Sequence, residues 1–312
     1  LKEVTTFYRV CGGAPTNVAA AIGKLGGKAR MITQVGNDAF GDYIVDQLEK
    51  CGIDTESICR TDAANTALAF VSLKTDGNRD FSFYRKPSAD MLMEPEQLQP
   101  AWLEDTAVLH FGSVSLVESP MKQTHVRAIQ LAKEQGAVIS FDPNIRLPLF
   151  PSAEACQAAV REFLPYVDLL KVSDEELEFV TGETDIQKAA PLLFEQGCKM
   201  ILYSKGKQGA MLLTPQVVCT EPNPKVKVKD TTGAGDAICG AFLYCLGKNG
   251  ITPENLNQQP AGKLQKWLRY AVYYANYSVT GSGAITSYPD DETFQRWLRT
   301  FDSFIAVRKN EL

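Results

Sequence analysis

The sequence predicts an α/β fold: a mostly parallel central sheet flanked by helices, with a small β-sheet lid projecting from it. Apolar runs of strand length alternate with amphipathic runs of helix length along most of the 312 residues, as in parallel strands joined by crossover helices. One stretch breaks that rhythm with two strand-like runs in direct succession. The composition, 45% apolar and 22% charged, excludes wholesale disorder, collagen and coiled coil. With no internal repeat, low-complexity tract or linker, residues 1–312 read as a single domain.

In chain order, Ala29–Val35 reads as a strand and Asp38–Cys51 as a helix ended by Gly52. Thr66–Leu73 and Asp80–Arg85 are strand-like and flank KTDGNR, where Asp76-Gly77 is a hairpin turn signal. Thr5–Val10 is extended enough to join them as another strand. The lid is therefore expected from about residues 4–11 and 66–86. Ala107–Phe111 and Ala137–Phe141 are short apolar strands around the helix Ser119–Gln135, which Gly136 closes. Strand Leu169–Val172, helices Asp174–Thr181 and Asp185–Gln196, and strand Lys199–Tyr203 continue the alternation. Later helices are expected at Gly235–Leu246, Ala261–Val279 and Asp291–Phe304.

Several function classes drop out early. A net charge of −5 gives no bulk attraction for nucleic acid or an anionic membrane. Tyr270–Pro289 lacks charges but holds Asn276, Gly281, Gly283 and Pro289, so it reads as a soluble helix running into a loop. The opening LKEVTTFYRV has no signal-peptide apolar core and no initiator Met. Eight cysteines without a CxxC pair read as reduced thiols, hence a cytoplasmic expectation. With His110 and His125 as the two histidines, a His-rich metal site or His-based triad is not expected.

The segment with most chemistry is Lys229-Asp230-Thr231-Thr232-Gly233-Ala234-Gly235-Asp236-Ala237. A Gly-Ala-Gly turn opening a helix lets backbone N–H groups approach an anion, and the helix dipole adds positive potential. A carboxylate in that first turn can accept a hydroxyl proton while the N–H groups hold phosphoryl charge. On the local pattern alone, a capped helix after a glycine turn is an equal reading. No GxxxxGK[ST] motif occurs.

DTTGAGD resembles the second signature of the ribokinase-like, or PfkB-type, carbohydrate kinases. Gly12-Gly13-Ala14-Pro15-Thr16-Asn17 resembles that family's GGxxxN, and Val35-Gly36-Asn37-Asp38-Ala39-Phe40-Gly41 its VGxDxFG. Within the family the detail is most similar to fructokinases. Phe81-Ser82-Phe83-Tyr84-Arg85 followed by Ala89-Asp90 looks like FxFYR…AD. The stretch from Asp142 to Phe150 resembles DPNxRxxLW, and Lys171-Val172-Ser173-Asp174-Glu175-Glu176 resembles KVSDEE.

The resemblance implies an ATP-dependent sugar kinase, most similar to one that makes fructose 6-phosphate. Asp236 would be the general base, and Gly233, Ala234 and Gly235 the anion hole. Gly12, Gly13, Asn17, Tyr84, Arg85, Asp142, Asn144 and Arg146 would meet the substrate; an Asn amide that both donates and accepts suits a polyol. Lys171, Ser204, Lys205, Gly206, Gly209, Val272 and Gly283 would meet ATP. Glu176 would hold Mg²⁺ through water. Asp230, Thr232, Ser278, Gly281, Gly283 and Ser287 fall where family members bind a monovalent cation such as K⁺. The alternative for Glu176 is the first turn of an acidic surface helix, and for Lys171 and Arg146 a solvated surface charge.

Three departures stand out. The family's first strand, with a sugar-binding Asp, should precede Leu1; Val272 stands where many relatives have Asn or His; and Phe150 replaces Trp. Alternatives are a kinase of the same family acting on 2-keto-3-deoxygluconate, ribose or a nucleoside, and a silent sugar- or nucleotide-binding regulator. The expected partners are small molecules, with no nucleic acid and no membrane. An apolar lid face at Phe70, Phe81 and Phe83 favours a lid-mediated homodimer.

Overall fold

The computed structural model describes residues 4–73 and 79–301. Its main sheet has the order β12-β11-β10-β9-β8-β7. These strands are β7 (Val108–Gly112), β8 (Val138–Asp142), β9 (Leu169–Ser173), β10 (Met200–Ser204), β11 (Ala210–Leu213) and β12 (Val218–Glu221). β7 to β10 run parallel, and β11 and β12 are antiparallel additions. The short link between β10 and β11 explains the reversal, since a parallel return needs a crossover of a dozen or more residues.

Helices α1 (Ala14–Lys24), α7 (Ala234–Lys248) and α8 (Ala261–Ser278) cover one face of the sheet. The other is covered by α3 (Pro120–Glu134), α4 (Ala153–Phe163), α5 (Asp174–Thr181) and α6 (Ile186–Glu195). Strand alternation sorts neighbours between the two cores. Leu169 and Leu202 pack with α1, α7 and α8, whereas Leu170 and Ile201 pack with the opposite helices. The fully buried Trp267, Tyr270 and Tyr274 anchor α8 in the core. α1 and α7 touch backbone to backbone at Gly240, where a Cβ would lie 2.7 Å from both Ala21 Cβ and Val18 O.

The predicted strand Ala29–Val35 is instead two pieces, β1 (Ala29–Arg30) and β2 (Thr33–Gly36). They pair in parallel with β3 (Ile53–Asp54) and β4 (Ile58–Thr61). The turn at 55–57 separates the two partners, so the ladder breaks at Met31 and Ile32. α2 (Ala39–Lys50) is capped by Asp38, which accepts from Phe40 N and Gly41 N. The other Asp38 oxygen accepts from Thr66 N at 2.8 Å, tying the root of the lid to α2. The last helix, α9 (Asp291–Leu298), ends earlier than the predicted Phe304 because the chain turns at Arg299–Thr300.

The lid pair is β5 (Leu68–Leu73) and β6 (Arg79–Tyr84), antiparallel, with Leu68 opposite Tyr84. The predicted Asp76-Gly77 turn and the Phe81 side chain lie outside the described residues. The expected strand at Thr5–Val10 does not form. Residues 4–10 are all exposed, so no apolar face holds them in register, and they rest on the body through ring contacts and one hydrogen bond from the Tyr43 hydroxyl to Arg9 O at 3.4 Å. Phe7 meets Phe70 edge-on at 5.1 Å, and the Arg9 guanidinium lies 3.8 Å from the centre of the Tyr43 ring.

Candidate active site

The C-terminal ends of the parallel strands β8 and β9 deliver Asp142, Asn144, Arg146, Lys171 and Glu176, where open α/β sheets place their ligands. A cleft of about 2190 Å³ runs from the lid along β7 to the start of α7, with Asn17, Arg85, His110, Asn144 and Asp236 in its walls.

Asp236 lies in the first turn of α7 and is 7% exposed. Asn17 Nδ2 donates to its Oδ2 at 2.7 Å, and Asn144 Nδ2 approaches its Oδ1 at 3.4 Å. Burial pushes the carboxyl up to about 6, against the pull of the Asn17 amide, Lys171 and Arg146. A carboxylate near that value is a competent base at neutral pH. Asn17 Oδ1 is buried and accepts no protein hydrogen bond, leaving it open to a donor in the cleft.

The turn before Asp236 is shaped by its surroundings. Gly233 caps α7 with φ +75°, and a Cβ there would sit 2.5 Å from Ala284 Cβ and 2.6 Å from the Tyr288 hydroxyl. Only glycine fits. The N–H groups of α7's first turn have no helical partners of their own. Lys171 stands beside them, its Nζ 3.4 Å from where a Cβ on Gly235 would be.

Lys171 is paired with Asp142 at 3.1 Å, and both are almost fully buried. Burial works against the ammonium, but Asp142 and Glu176 hold its affinity for the proton above the ordinary value. Burial likewise pushes the Asp142 carboxyl upward, with Lys171 opposing. Glu176 closes a capping box on α5: its Oε2 accepts from Ser173 N and Oγ, and its Oε1 from Ile145 N at 2.8 Å. Burial raises this carboxyl, but Lys171, Ser173 and Ile145 N outweigh it, so it is held below the ordinary value and ionised.

The other sequence-predicted residues divide into groups. Gly12, Gly13 and Arg146 line the cleft. Arg85 reaches it too, but its Nε donates to Asp90 at 2.8 Å and its Nη1 to Val114 O at 2.8 Å, so it anchors β6 to the body. Tyr84 is 64% exposed and packs edge-on to Phe70; Phe83 lines the cleft instead. Ser204 ends β10, and Lys205, Gly206 and Gly209 form the turn after it, away from the cleft lining. Asn223 Nδ2 donates to Gly206 O, and Asn276 Nδ2 donates to Asn223 Oδ1, tying that turn to α8. Val272 is buried inside α8 and contributes core packing.

Asp230 joins the two loops assigned to a cation. Its Oδ1 accepts from Thr232 N and Oγ1, and its Oδ2 from Gly283 N at 2.8 Å. Ser287 lies against Gly281, and the Ser278 and Ser287 hydroxyls donate to the carbonyls of Ala275 and Ala284. Among the described residues no group of three or more His, Cys, Asp or Glu is placed to hold a metal ion.

Sequence reasoning missed Lys24, Tyr288 and His110. The first two carry no motif signal. His110 is half-buried in the cleft wall with Nδ1 2.9 Å from Ser140 Oγ, and desolvation with nearby Lys171 pushes it down to about 3. It is therefore a neutral wall, and the buried Lys171 supplies the site's cation.

A family model described as pfkB family carbohydrate kinase matches residues 1–291. The probable fructokinase-5 of Arabidopsis thaliana is 39% identical over 301 residues, covering 96% of this chain and 91% of that protein. The fructokinase of Xylella fastidiosa, solved with bound ATP, superposes with a TM-score of 0.87 at 32% identity, over 93% of this chain and 90% of that one. A Vibrio cholerae fructokinase in a fructose-, ADP- and calcium-bound form superposes with a TM-score of 0.84 at 30% identity, over 95% and 94% of the two chains.

Proposed function

The chain belongs to the pfkB family of carbohydrate kinases, and from that premise we propose that it phosphorylates D-fructose with ATP, giving fructose 6-phosphate. The observation that carries the mechanism is Asp236: a buried carboxylate, oriented by Asn17, heading the glycine turn with Lys171 alongside. Asp236 takes the proton of the sugar's 6-hydroxyl. The hydroxyl oxygen forms a bond to the γ-phosphorus as the bond to the β-phosphate oxygen breaks, and ADP leaves. The N–H groups of Gly233, Ala234 and Gly235 and the Lys171 ammonium hold the phosphoryl charge. Asn17 Oδ1 accepts from a sugar hydroxyl. Asn144 and Arg146 complete the polar wall, and β5 and β6 close over the sugar to keep water from the phosphoryl group.

The donor set suits Mg²⁺ bound through water: Glu176 is ionised and half-buried, yet both its oxygens already accept protein hydrogen bonds. When bound, the ion neutralises charge on the nucleotide phosphates. A K⁺ ion would be held between the loops that Asp230 joins through Thr232 and Gly283. The exposed Phe7, Val71 and Tyr84 support a dimer through the lid, which sedimentation would register. All eight cysteines are free thiols, in keeping with a cytoplasmic enzyme.

The test is initial ADP release against D-fructose, ribose, adenosine and 2-keto-3-deoxygluconate at several concentrations. The kcat/KM for fructose should exceed the others by about 10²-fold, the scale that polar readout supplies. Equal or better use of another acceptor overturns the fructose assignment.

A further inference from the structure

Lys24 ends α1, a position from which a lysine ordinarily reaches into water. Here the side chain folds inward, and its Nζ donates to Ile285 O at 2.8 Å and Tyr288 O at 2.9 Å. Burial works against the charge, with the Asp290 carboxylate in partial support. That carboxylate is engaged in capping α9 through Thr293 N. The ammonium is thus bound by main-chain carbonyls, much as a small cation would be.

Those carbonyls bracket the single turn Ile285–Ser287. Ile285 O also accepts from Tyr288 N at 3.3 Å, so Lys24 completes what one turn satisfies only in part. The same segment reaches the glycine turn. Tyr288, 3% exposed, donates its hydroxyl to Gly233 O at 2.7 Å. Gly233 O also accepts the first helical bond of α7, from Ala237 N at 2.8 Å. With Ala284 and Tyr288 packed against its Cα, Gly233 can neither rotate nor withdraw unless residues 284–288 move.

We propose that Lys24 is a positioning residue for phosphoryl transfer: a tethered cation on the carbonyls of residues 285 and 288 that holds Tyr288 against Gly233 and so fixes the N–H groups of the anion-binding turn. The proposal rests on the role given above to residues 233–235. Preorganised donors act only if they do not have to reorient during reaction, and a misplacement of about 1 Å can cost on the order of 10²-fold. Lys24 acts from behind the site, so the sugar contacts are untouched when it is lost.

A cavity of about 580 Å³ bounded by Lys24, Ser287, Tyr288 and Asp290 adjoins this contact. It leaves a small cation room to enter once the side chain is truncated. Lys24→Ala should lower kcat by about 10- to 100-fold with the KM for fructose held within about twofold, since no uniform binding contact is lost. Methylammonium should restore kcat in Lys24→Ala and raise its Tm, while doing neither to the wild type. An unchanged kcat, or a loss that methylammonium does not repair, overturns the proposal. Should Lys24→Ala not fold, Tyr288→Phe decides: the ring stays, the bond to Gly233 O goes, and kcat should fall with KM for fructose unchanged. Unimpaired turnover in Tyr288→Phe overturns it. A wild type that phosphorylates no sugar would instead strike at the kinase reading itself.

Discussion

Asn17 and Asp236 stand 219 positions apart in sequence and share a buried hydrogen bond of 2.7 Å. The amide stabilises the ionised carboxylate against the burial that raises it to about 6. Turnover that needs the deprotonated base should therefore rise with pH through about that value and level above it. Asn17→Ala removes the donor. The acid limb of kcat should move upward by about one pH unit, the worth of one such bond. A limb that stays in place while only the KM for fructose rises would make Asn17 a sugar ligand alone.

Asp236→Asn should cut kcat by about 10²–10⁴-fold, the contribution of a positioned base, with ATP binding kept. It should also change stability in a pH-dependent way. The folded carboxyl sits above its ordinary 3.8, so the stability linked to it is full below about pH 4 and is lost as pH rises through about 6. The variant escapes that loss. Its Tm should exceed the wild type's at about pH 8, and the difference should shrink towards about pH 4. A constant difference would detach Asp236 from the titration.

The alternation of apolar strands and amphipathic helices was enough to reveal the parallel body, because strands such as 138–142 and 169–173 are mostly apolar and buried along nearly their whole length. It could not reveal that 29–35 would divide, since the cause is a turn in the partner segment. Exposure defeated the expectation at Thr5–Val10: a strand-like residue pattern needs a face to bury. In the site, Asp236, Asn17 and Lys171 were legible because each lies in a motif. Lys24 and Tyr288 were not. Their contacts are to main-chain carbonyls, which any sequence supplies, so no residue pattern marks them.

Lys171→Met should be costly twice over. It strands Asp142 as a buried carboxylate without its cation, a change on the order of 3–5 kcal/mol, and it removes positive charge beside the glycine turn. Urea unfolding should show the stability loss. The double variant Lys171→Met/Asp142→Leu should recover stability without recovering kcat. Recovery of both would remove Lys171 from phosphoryl stabilisation.

Arg85 fastens β6 to the body through Asp90 and the Val114 carbonyl. Arg85→Leu leaves Asp90 without its cation, held only by the Ser88 hydroxyl among the described residues, and the lid strand loose. Sugar-independent ATP hydrolysis should rise relative to fructose phosphorylation, because a loose lid admits water. An unchanged ratio of the two rates would argue against closure by this strand.

The backbone contact of α1 with α7 at Gly240 also sets a timetable. α1 ends at Lys24, and the helix it packs against begins at Ala234, later in synthesis. At roughly 5–20 residues per second of synthesis, α1 waits on the order of ten seconds or more for its partner. Throughout that interval Val18, Ala21 and Leu25, later buried in one core, have no α7 to lie on. A nascent chain halted before residue 234 should therefore be sticky and protease-sensitive along α1, however complete the strands made after it have become.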